Sequence, residues 1–337
     1  MTQTYIIAEI GPNHNGSLDT ALRMIERLAG SGVDAVKFQL AVPENVYSRD
    51  AFKADYQKRN DGEGSPIEMS RRIQLPAEAH RQLHQACRAH GMAYLCTAFD
   101  IDSLRFLDTA FPDLPAFKVG SGEMLTLDML EYIAARRRPV ILSTGMARFE
   151  EIEQALAVLT GQGLDAVTLL HCVSSYPAQP ADVNLAAMGE LRRRFGRPVG
   201  YSDHSIGPEC GVAAVALGAT VLEKHVTLDR TLPGPDHKAS ATIEEMAALV
   251  AAIRKVELAL GVADKLFSPV ETEVRRMARK SIVTTRALPA GHYLTAADLT
   301  FKRPGTGLSP MQRDQVIGRR LARAIEADRV IKAEDLA

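Results

Sequence analysis

The feature that most limits what this chain can fold into is an alternation. Eight short apolar, β-branched runs occur at Tyr5–Ile10, Ala35–Leu40, Met92–Phe99, Ala116–Val119, Val140–Ser143, Ala166–His171, Val199–Ser202 and Thr220–Glu223. Between and after them lie stretches with i, i+3, i+4 apolar spacing, among them Leu18–Ala29, Pro76–His90, Phe149–Leu159, Asn184–Phe195, Cys210–Leu217 and Ile243–Leu260. Ser17 before Leu18, and Pro76 at a first helical position, are helix-start signals. Parallel strands need crossover connections, usually helices, so the alternation predicts an α/β chain of parallel βα units. Eight such units in about 260 residues point to a (β/α)8 TIM barrel, with an open doubly wound sheet as the alternative. After the first run the chain reads Ile10-Gly11-Pro12-Asn13-His14-Asn15-Gly16, not GxGxxG, so a dinucleotide fold loses its main sequence support.

The barrel does not use up the 337 residues. A polar stretch from Ala41 to Arg72 separates the second run from its helix, and such a length reads as a lid, or else as a surface insertion. After Leu260 the pattern changes, dividing the chain into a barrel (1–262), a charged linker (263–279) and a small β-rich domain (280–337). That last domain contains an echo at an offset of 37: the segment from Ala287 to Leu299 lines up with the one from Ala324 to Leu336, which suggests a pseudo-symmetric fold. A domain this small buries little of its surface, so it is expected to pack on its own barrel or on a partner subunit.

Forty basic against forty-one acidic residues leave a net charge of -1 and no broad basic field for nucleic acid. No apolar run approaches the roughly 18 residues of a membrane span, and the N-terminus lacks the build of a signal peptide, so a cytoplasmic enzyme is expected. Cys87, Cys96, Cys172 and Cys210 form no CxxC pattern and are expected to be reduced and mostly buried. With no Trp and aromatics at 5%, a stacking platform for bases or sugars is not indicated. Arg136–Arg138 and Arg192–Arg194 read as solvated helix C-termini, and His80, His84 and His90 as a solvated helix face.

In a barrel the reacting groups stand at the C-terminal strand ends. Here those ends carry Glu9, Lys37 with Gln39, Thr97, Lys118 followed by Ser121 and Glu123, and Ser143. The later ones carry His171-Cys172 leading to Ser174 and Tyr176, then Ser202-Asp203-His204, then Glu223-Lys224-His225. Any one of these could be a structural ion pair; polar ends on every strand read as a site. Lys37, Lys118, Ser121 and Ser143 suit a phosphate or carboxylate. His204 and His225, on neighbouring strands with Glu9 beside them, suit an open divalent-metal site, although by spacing alone His204 could equally donate a proton to phosphate.

At these motifs the chain resembles the sialic acid synthases and the related legionaminic and pseudaminic acid synthases, over essentially its whole length. The matching segments are AEIGPNHNGS (8–17), VKFQ (36–39), FKVGSGE (117–123), ILSTGM (141–146), LLHCVSSYPA (169–178), GYSDHSIG (200–207), EKHVTLDRTLPGPDHKAS (223–240) and KRPGTG (302–307). The resemblance implies a C-terminal SAF domain, similar to type III antifreeze protein, and a domain-swapped homodimer. It also implies condensation of phosphoenolpyruvate with an open-chain N-acetylated amino sugar, with C–O cleavage and loss of phosphate. A divalent metal is implied as well, manganese first, with magnesium or cobalt as substitutes.

Carried over residue by residue, the resemblance makes Lys37, Thr97, Lys118, Ser121 and Ser143 the phosphoenolpyruvate site, and His204 and His225 the metal ligands. Glu9, Gln39, Tyr176, Glu223, Asp236 and Glu123 fall near the sugar or the metal, Asn60 on the lid, and Arg303 on the segment that would reach a partner's site. Ser174 stands where several sialic acid synthases have Asn, which loosens the assignment to N-acetylmannosamine, while Gly234-Pro235-Asp236-His237 resembles the sialic and legionaminic branch. The sugar is therefore N-acetylmannosamine or 2,4-diacetamido-2,4,6-trideoxymannose. Two rival readings are a Schiff-base aldolase using Lys37 or Lys118, and a non-catalytic sugar- or ice-binding protein.

Overall fold

In the computed structural model the strands are β1 (Tyr5–Glu9), β2 (Ala35–Leu40), β3 (Ala93–Ala98), β4 (Phe117–Val119), β5 (Val140–Ser143), β6 (Val167–Cys172), β7 (Val199–Asp203) and β8 (Val221–Thr227). The structure describes residues 3–337, the side chains of Tyr56 and Arg59 excepted. Each strand pairs in parallel with the next, and β8 pairs back onto β1, with Glu9 opposite His225. The sheet is closed, which decides for the barrel and against the open sheet.

Successive strand residues face opposite sides, so the barrel interior is read off every second position. Ile7, Ala35, Leu95, Ala116, Ile141, Leu170 and Val221 form a buried apolar cluster, six of them from six strands and Ala116 from the residue just before β4. The remaining strand, β7, supplies Gly200, where a Cβ would meet the Val221 carbonyl oxygen at 2.3 Å and Leu170 Cδ2 at 2.7 Å. The interior is full at that level, and only glycine fits. The opposite strand faces, with residues such as Ile6, Val36 and Phe38, pack into the larger core shared with the helices.

Local chemistry starts the helix after Ser17 as expected, whereas Pro76 lies three residues ahead of its helix, Ala79–Ala89, with Glu78 between them as the N-cap. Ser17 accepts the Thr20 N–H at the start of Leu18–Leu28, and Thr242 with Glu245 forms a reciprocal capping box on Ile243–Leu260. The polar stretch after β2 is not a plain loop: it folds into three short helices, Pro43–Val46, Asp55–Asp61 and Pro66–Ile73. Ser65 caps the third with Pro66 at its first position and Glu68 closing a capping box. Asp100, which caps the helix Ile101–Ala110, also accepts the Val42 N–H at 2.8 Å and so anchors the start of this segment.

One expectation is overturned at His80. The sequence pattern places it on a solvated face, yet it is fully buried, with Nδ1 2.6 Å from the Tyr94 hydroxyl. Helical spacing puts His80, Leu83 and Cys87 on the buried face of Ala79–Ala89, whereas His84 reaches Asp113 and His90 is exposed. Arg138 also departs from the solvated reading, since it lies over the Phe117 ring and donates to the Leu114 carbonyl. All four cysteines are free thiols. Among the described residues no helix is long and apolar enough to cross a membrane.

The chain divides into two compact units, the second running from Val262 to Ala337. Within the second, β9 (Ser281–Thr284) pairs antiparallel with β10 (Leu299–Lys302), around a core that includes Ile282, Leu288, Leu294, Leu321 and Ile331. A helix, Thr272–Ala278, occupies part of the segment read as linker. The echo in the sequence is physical. Leu288 bridges Ile325, its own equivalent at the offset of 37. Asp298 accepts from the Thr295 N–H and Arg286, and its equivalent Asp335 accepts from the Lys332 N–H and Arg323.

Candidate active site

Two residues beyond the apolar layer, every strand turns polar. Glu9, Lys37, Thr97, Lys118, Ser143, Cys172, Ser202 and Glu223 follow Ile7, Ala35, Leu95, Ala116, Ile141, Leu170, Gly200 and Val221 by one inward step each. These groups pair with one another across the barrel. Lys37 Nζ lies 2.5 Å from Glu9 Oε2 and 3.8 Å from Glu223 Oε2, and donates to Thr97 Oγ1 at 3.1 Å. Lys118 Nζ donates to Ser143 Oγ at 2.8 Å and lies 3.6 Å from Glu223 Oε1. Gln39 Nε2 donates to Glu9 Oε1 at 3.1 Å, and Ser202 Oγ donates to Glu223 Oε1 at 3.1 Å.

Above this ring opens a cavity of about 320 Å³. Of the residues singled out in the sequence, Lys37, Gln39, Thr97, Lys118, Ser121, Glu123, Ser143, Ser174, Tyr176, His204, Glu223 and His225 line it. Glu9 does not line it and stands behind Lys37 and Gln39. Asn60 also stays outside the lining: its Nδ2 donates to the Pro235 carbonyl at 2.8 Å, tying the segment after β2 to the loop that carries Asp236. Asp236 is buried with Oδ2 3.8 Å from His225 Nδ1. Arg303 belongs to the second unit, exposed, with Nε donating to the Ala278 carbonyl.

The sequence reading gives several lining residues no role, Ser202 and Cys172 among them, although both are named there at strand ends. Ser202 and Cys172 were legible as inward steps of β7 and β6, and Cys172 Sγ lies 3.3 Å from Ser121 Oγ. Ala54, Phe99 and Met146 carry no polar signal, and only the fold brings them to the cavity.

Burial sets the charge states. It pushes the Glu123 carboxyl up to about 7, and Oε2 of Glu123 is buried without a hydrogen-bond partner. Burial likewise raises Asp236 to about 7, with a further push from Glu9, and lifts Glu9 against the pull of Lys37. Glu223 goes the other way: burial would raise it, but the charges of Lys118 and Lys37 prevail and hold it below the usual range. For Lys37 burial is outweighed by Glu223 and Glu9, so its pKa is raised, whereas burial lowers that of Lys118. The site therefore sets Lys37, favoured as the cation, against Glu223, favoured as the carboxylate.

Tyr176 packs on His204 with ring centroids 4.1 Å apart, and the rings of His204 and His225 are 5.5 Å apart. His204 Nδ1 lies 2.7 Å from the Val173 carbonyl, which can only accept, so Nδ1 carries the proton and Nε2 keeps its lone pair. Burial lowers His204 to about 4 and drives His225 well below its ordinary value, keeping both rings neutral. His225 Nδ1 is buried with no hydrogen-bond partner. Two neutral imidazoles, His204 with only the Ser202 hydroxyl at 3.4 Å from Nε2, fit a divalent cation that keeps open positions. Among the described residues no group of three or more His, Cys, Asp or Glu side chains is disposed to hold a metal.

The comparisons with known proteins agree with this architecture. Residues 279–337 match the SAF domain, and residues 24–265 match the NeuB family. The chain is 41% identical to the N,N'-diacetyllegionaminic acid synthase of Campylobacter jejuni, covering 98% of this chain and 100% of that one. It is 36% identical to the human N-acetylneuraminate-9-phosphate synthase, over 98% of this chain and 92% of that one. Among solved structures, the N-acetylneuraminic acid synthetase of Leptospira borgpetersenii in complex with citrate aligns with a TM-score of 0.72 at 33% identity, covering 81% of this chain and 90% of that one. A closed barrel with this polar ring, followed by a domain of this type and matched along nearly its whole length, makes the chain a member of the NeuB family with a C-terminal SAF domain.

Proposed function

We propose that the chain is a nonulosonic acid synthase, joining phosphoenolpyruvate to an open-chain N-acetylated amino sugar and releasing phosphate. The observation that carries this reading is the pair Lys37 and Lys118, each with a hydroxyl beside it, facing the two imidazoles across one cavity. Lysines whose charge is favoured by nearby carboxylates against the cost of burial, each hydrogen-bonded to a hydroxyl, suit a small dianion. Placed there, the enol carbon C3 is held close to an aldehyde bound near His204 and His225, which turns a two-body encounter into a local one.

In the reaction, C3 attacks the aldehyde carbon and the aldehyde oxygen takes a proton; water adds at C2 and gives up both its protons, one balancing that new hydroxyl and one leaving with phosphate, as the bond from C2 to the phosphate-bearing oxygen breaks to leave a ketone. His204 and His225 would hold the metal, manganese first with magnesium or cobalt as substitutes, and a bound divalent ion supplies Lewis-acid polarisation of the carbonyl. Glu123, half-protonated near neutrality, is suited to carry the proton; Lys37 and Lys118 keep the anion in place throughout. Gln39, Tyr176, Ser174 and Asp236 orient the sugar, with Asn60 holding the segment after β2 against Pro235.

The 41% identity to a diacetyllegionaminic acid synthase favours 2,4-diacetamido-2,4,6-trideoxymannose over N-acetylmannosamine. The working unit is a domain-swapped homodimer in the cytoplasm, in which Arg303 of one subunit completes the site of the other. The test is phosphate release with phosphoenolpyruvate, manganese and a panel of amino sugars, with the product identified by mass. No release with any sugar of the class would sink the reading.

One observation favours a second reading: burial lowers the pKa of Lys118, as a Schiff-base lysine requires. Its bond to Ser143 and its proximity to Glu223 favour the cation instead. Borohydride trapping with pyruvate separates the two, since only an aldolase forms a stable adduct.

A further inference from the structure

β7 and β8 pair Asp203 with Lys224. The residues that follow them, His204 and His225, are the two imidazoles of the cavity, so strand alternation sends Asp203 and Lys224 to the opposite face. There Lys224 Nζ lies 2.7 Å from Asp203 Oδ2, with side chains 3% and 0% exposed. Asp203 Oδ1 accepts from the Ser205 N–H at 2.9 Å, from Ser205 Oγ at 2.6 Å and from the Tyr201 hydroxyl at 3.2 Å. Lys224 Nζ donates in turn to the Ser205 carbonyl at 2.7 Å. Ser205 is thus held at its N–H, its hydroxyl and its carbonyl, one residue after His204.

His204 has further ties of its own, through Nδ1 to Val173 and through its carbonyl to the Ala178 N–H. The Nδ1 atom of His225 makes no hydrogen bond, so the placement of that nitrogen depends on the strand that carries the ring. A buried ion pair is a weak source of net stability, because desolvation offsets the attraction. What this one adds is direction: a two-strand clamp whose donors and acceptors allow little play in the backbone behind both rings. We propose that Asp203, Lys224 and Ser205 are positioning residues that set the separation of His204 and His225 for a divalent cation. This rests on the metal reading of the site given above.

The test uses the full chain stripped of metal, with Mn2+ uptake followed by the paramagnetic resonance of the free ion and folding followed by thermal unfolding. Asp203→Asn and Lys224→Met each leave a buried charge without its partner and are expected to unfold early. Asp203→Asn/Lys224→Met removes both charges and is expected to recover thermal stability while binding Mn2+ about 10- to 100-fold more weakly than wild type. Ser205→Ala, a change of one hydroxyl, is expected to stay folded and to lose about tenfold in affinity. Wild-type affinity in a folded double variant, or in Ser205→Ala, overturns the positioning role alone. A wild-type chain that takes up no Mn2+, Mg2+ or Co2+ overturns the metal reading and this inference with it.

Discussion

The amine of Lys37 stands 2.5 Å from a carboxylate oxygen of Glu9, both side chains nearly sealed from solvent. Breaking a buried pair by removing one partner costs about 3–5 kcal/mol, because the other charge is left uncompensated. Lys37 also faces Glu223, so Lys37→Met strands more negative charge than Glu9→Gln strands positive charge. Urea unfolding should therefore show Lys37→Met as the more destabilised of the two. Equal losses would mean that Glu223 does not share Lys37.

Gly200 packs where a Cβ would lie 2.3 Å from the carbonyl oxygen of Val221, a backbone atom that cannot rotate away. Gly200→Ala should cost at least the 1–3 kcal/mol of an overpacked core, and should lower phosphate release by displacing Ser202 and Glu223. A urea midpoint within error of wild type would show that β7 and β8 can part without cost.

Glu123 is pushed up to about 7 by burial, above its ordinary value of 4.5. Its folded-state pKa exceeds the unfolded one, so its contribution to stability is fully present below about 4.5 and is lost as pH rises through about 7. Glu123→Gln should unfold at the same temperature as wild type near pH 4 but higher near pH 8. Allowing for solvent at the cavity mouth, the gain should be about 1–2 kcal/mol. A constant difference across pH would place the carboxyl in an ordinary environment.

Asp298 shows the opposite sign. Burial would raise its pKa, but bonds from His292, Thr295 and Arg286 prevail and hold it well below the aspartate range. Its stabilisation is present above the unfolded pKa and is lost as pH falls through the folded one. Asp298→Asn should destabilise the second unit at pH 7, with the deficit narrowing in strong acid. Hydrogen exchange of the β9 and β10 amides reads this locally.

If Arg303 completes a partner's site, His225→Ala and Arg303→Ala subunits should each be inactive alone and regain activity when mixed and re-associated. In a two-fold dimer the mixed species holds one intact site, so about a quarter of wild-type turnover is expected after random exchange. Mixtures as inactive as their components would confine Arg303 to its own subunit.

How much of this was legible in the sequence follows from the range of each rule. Strand alternation is local, with a period of two, so the eight runs, the inward steps from Ile7 to Glu9 and from Val221 to Glu223, and the polar end of each strand could be read along the chain. The repeat that pairs Leu288 with Ile325 was legible for the same reason, since similar segments meet across a two-fold axis. Tertiary structure alone decided who meets whom: closure of β8 on β1 sets Glu9 opposite His225, and Asn60 finds the Pro235 carbonyl. It also turned His80 inward and set Asp203 against Lys224. Those contacts depend on register and barrel closure between distant segments, and no local periodicity encodes them.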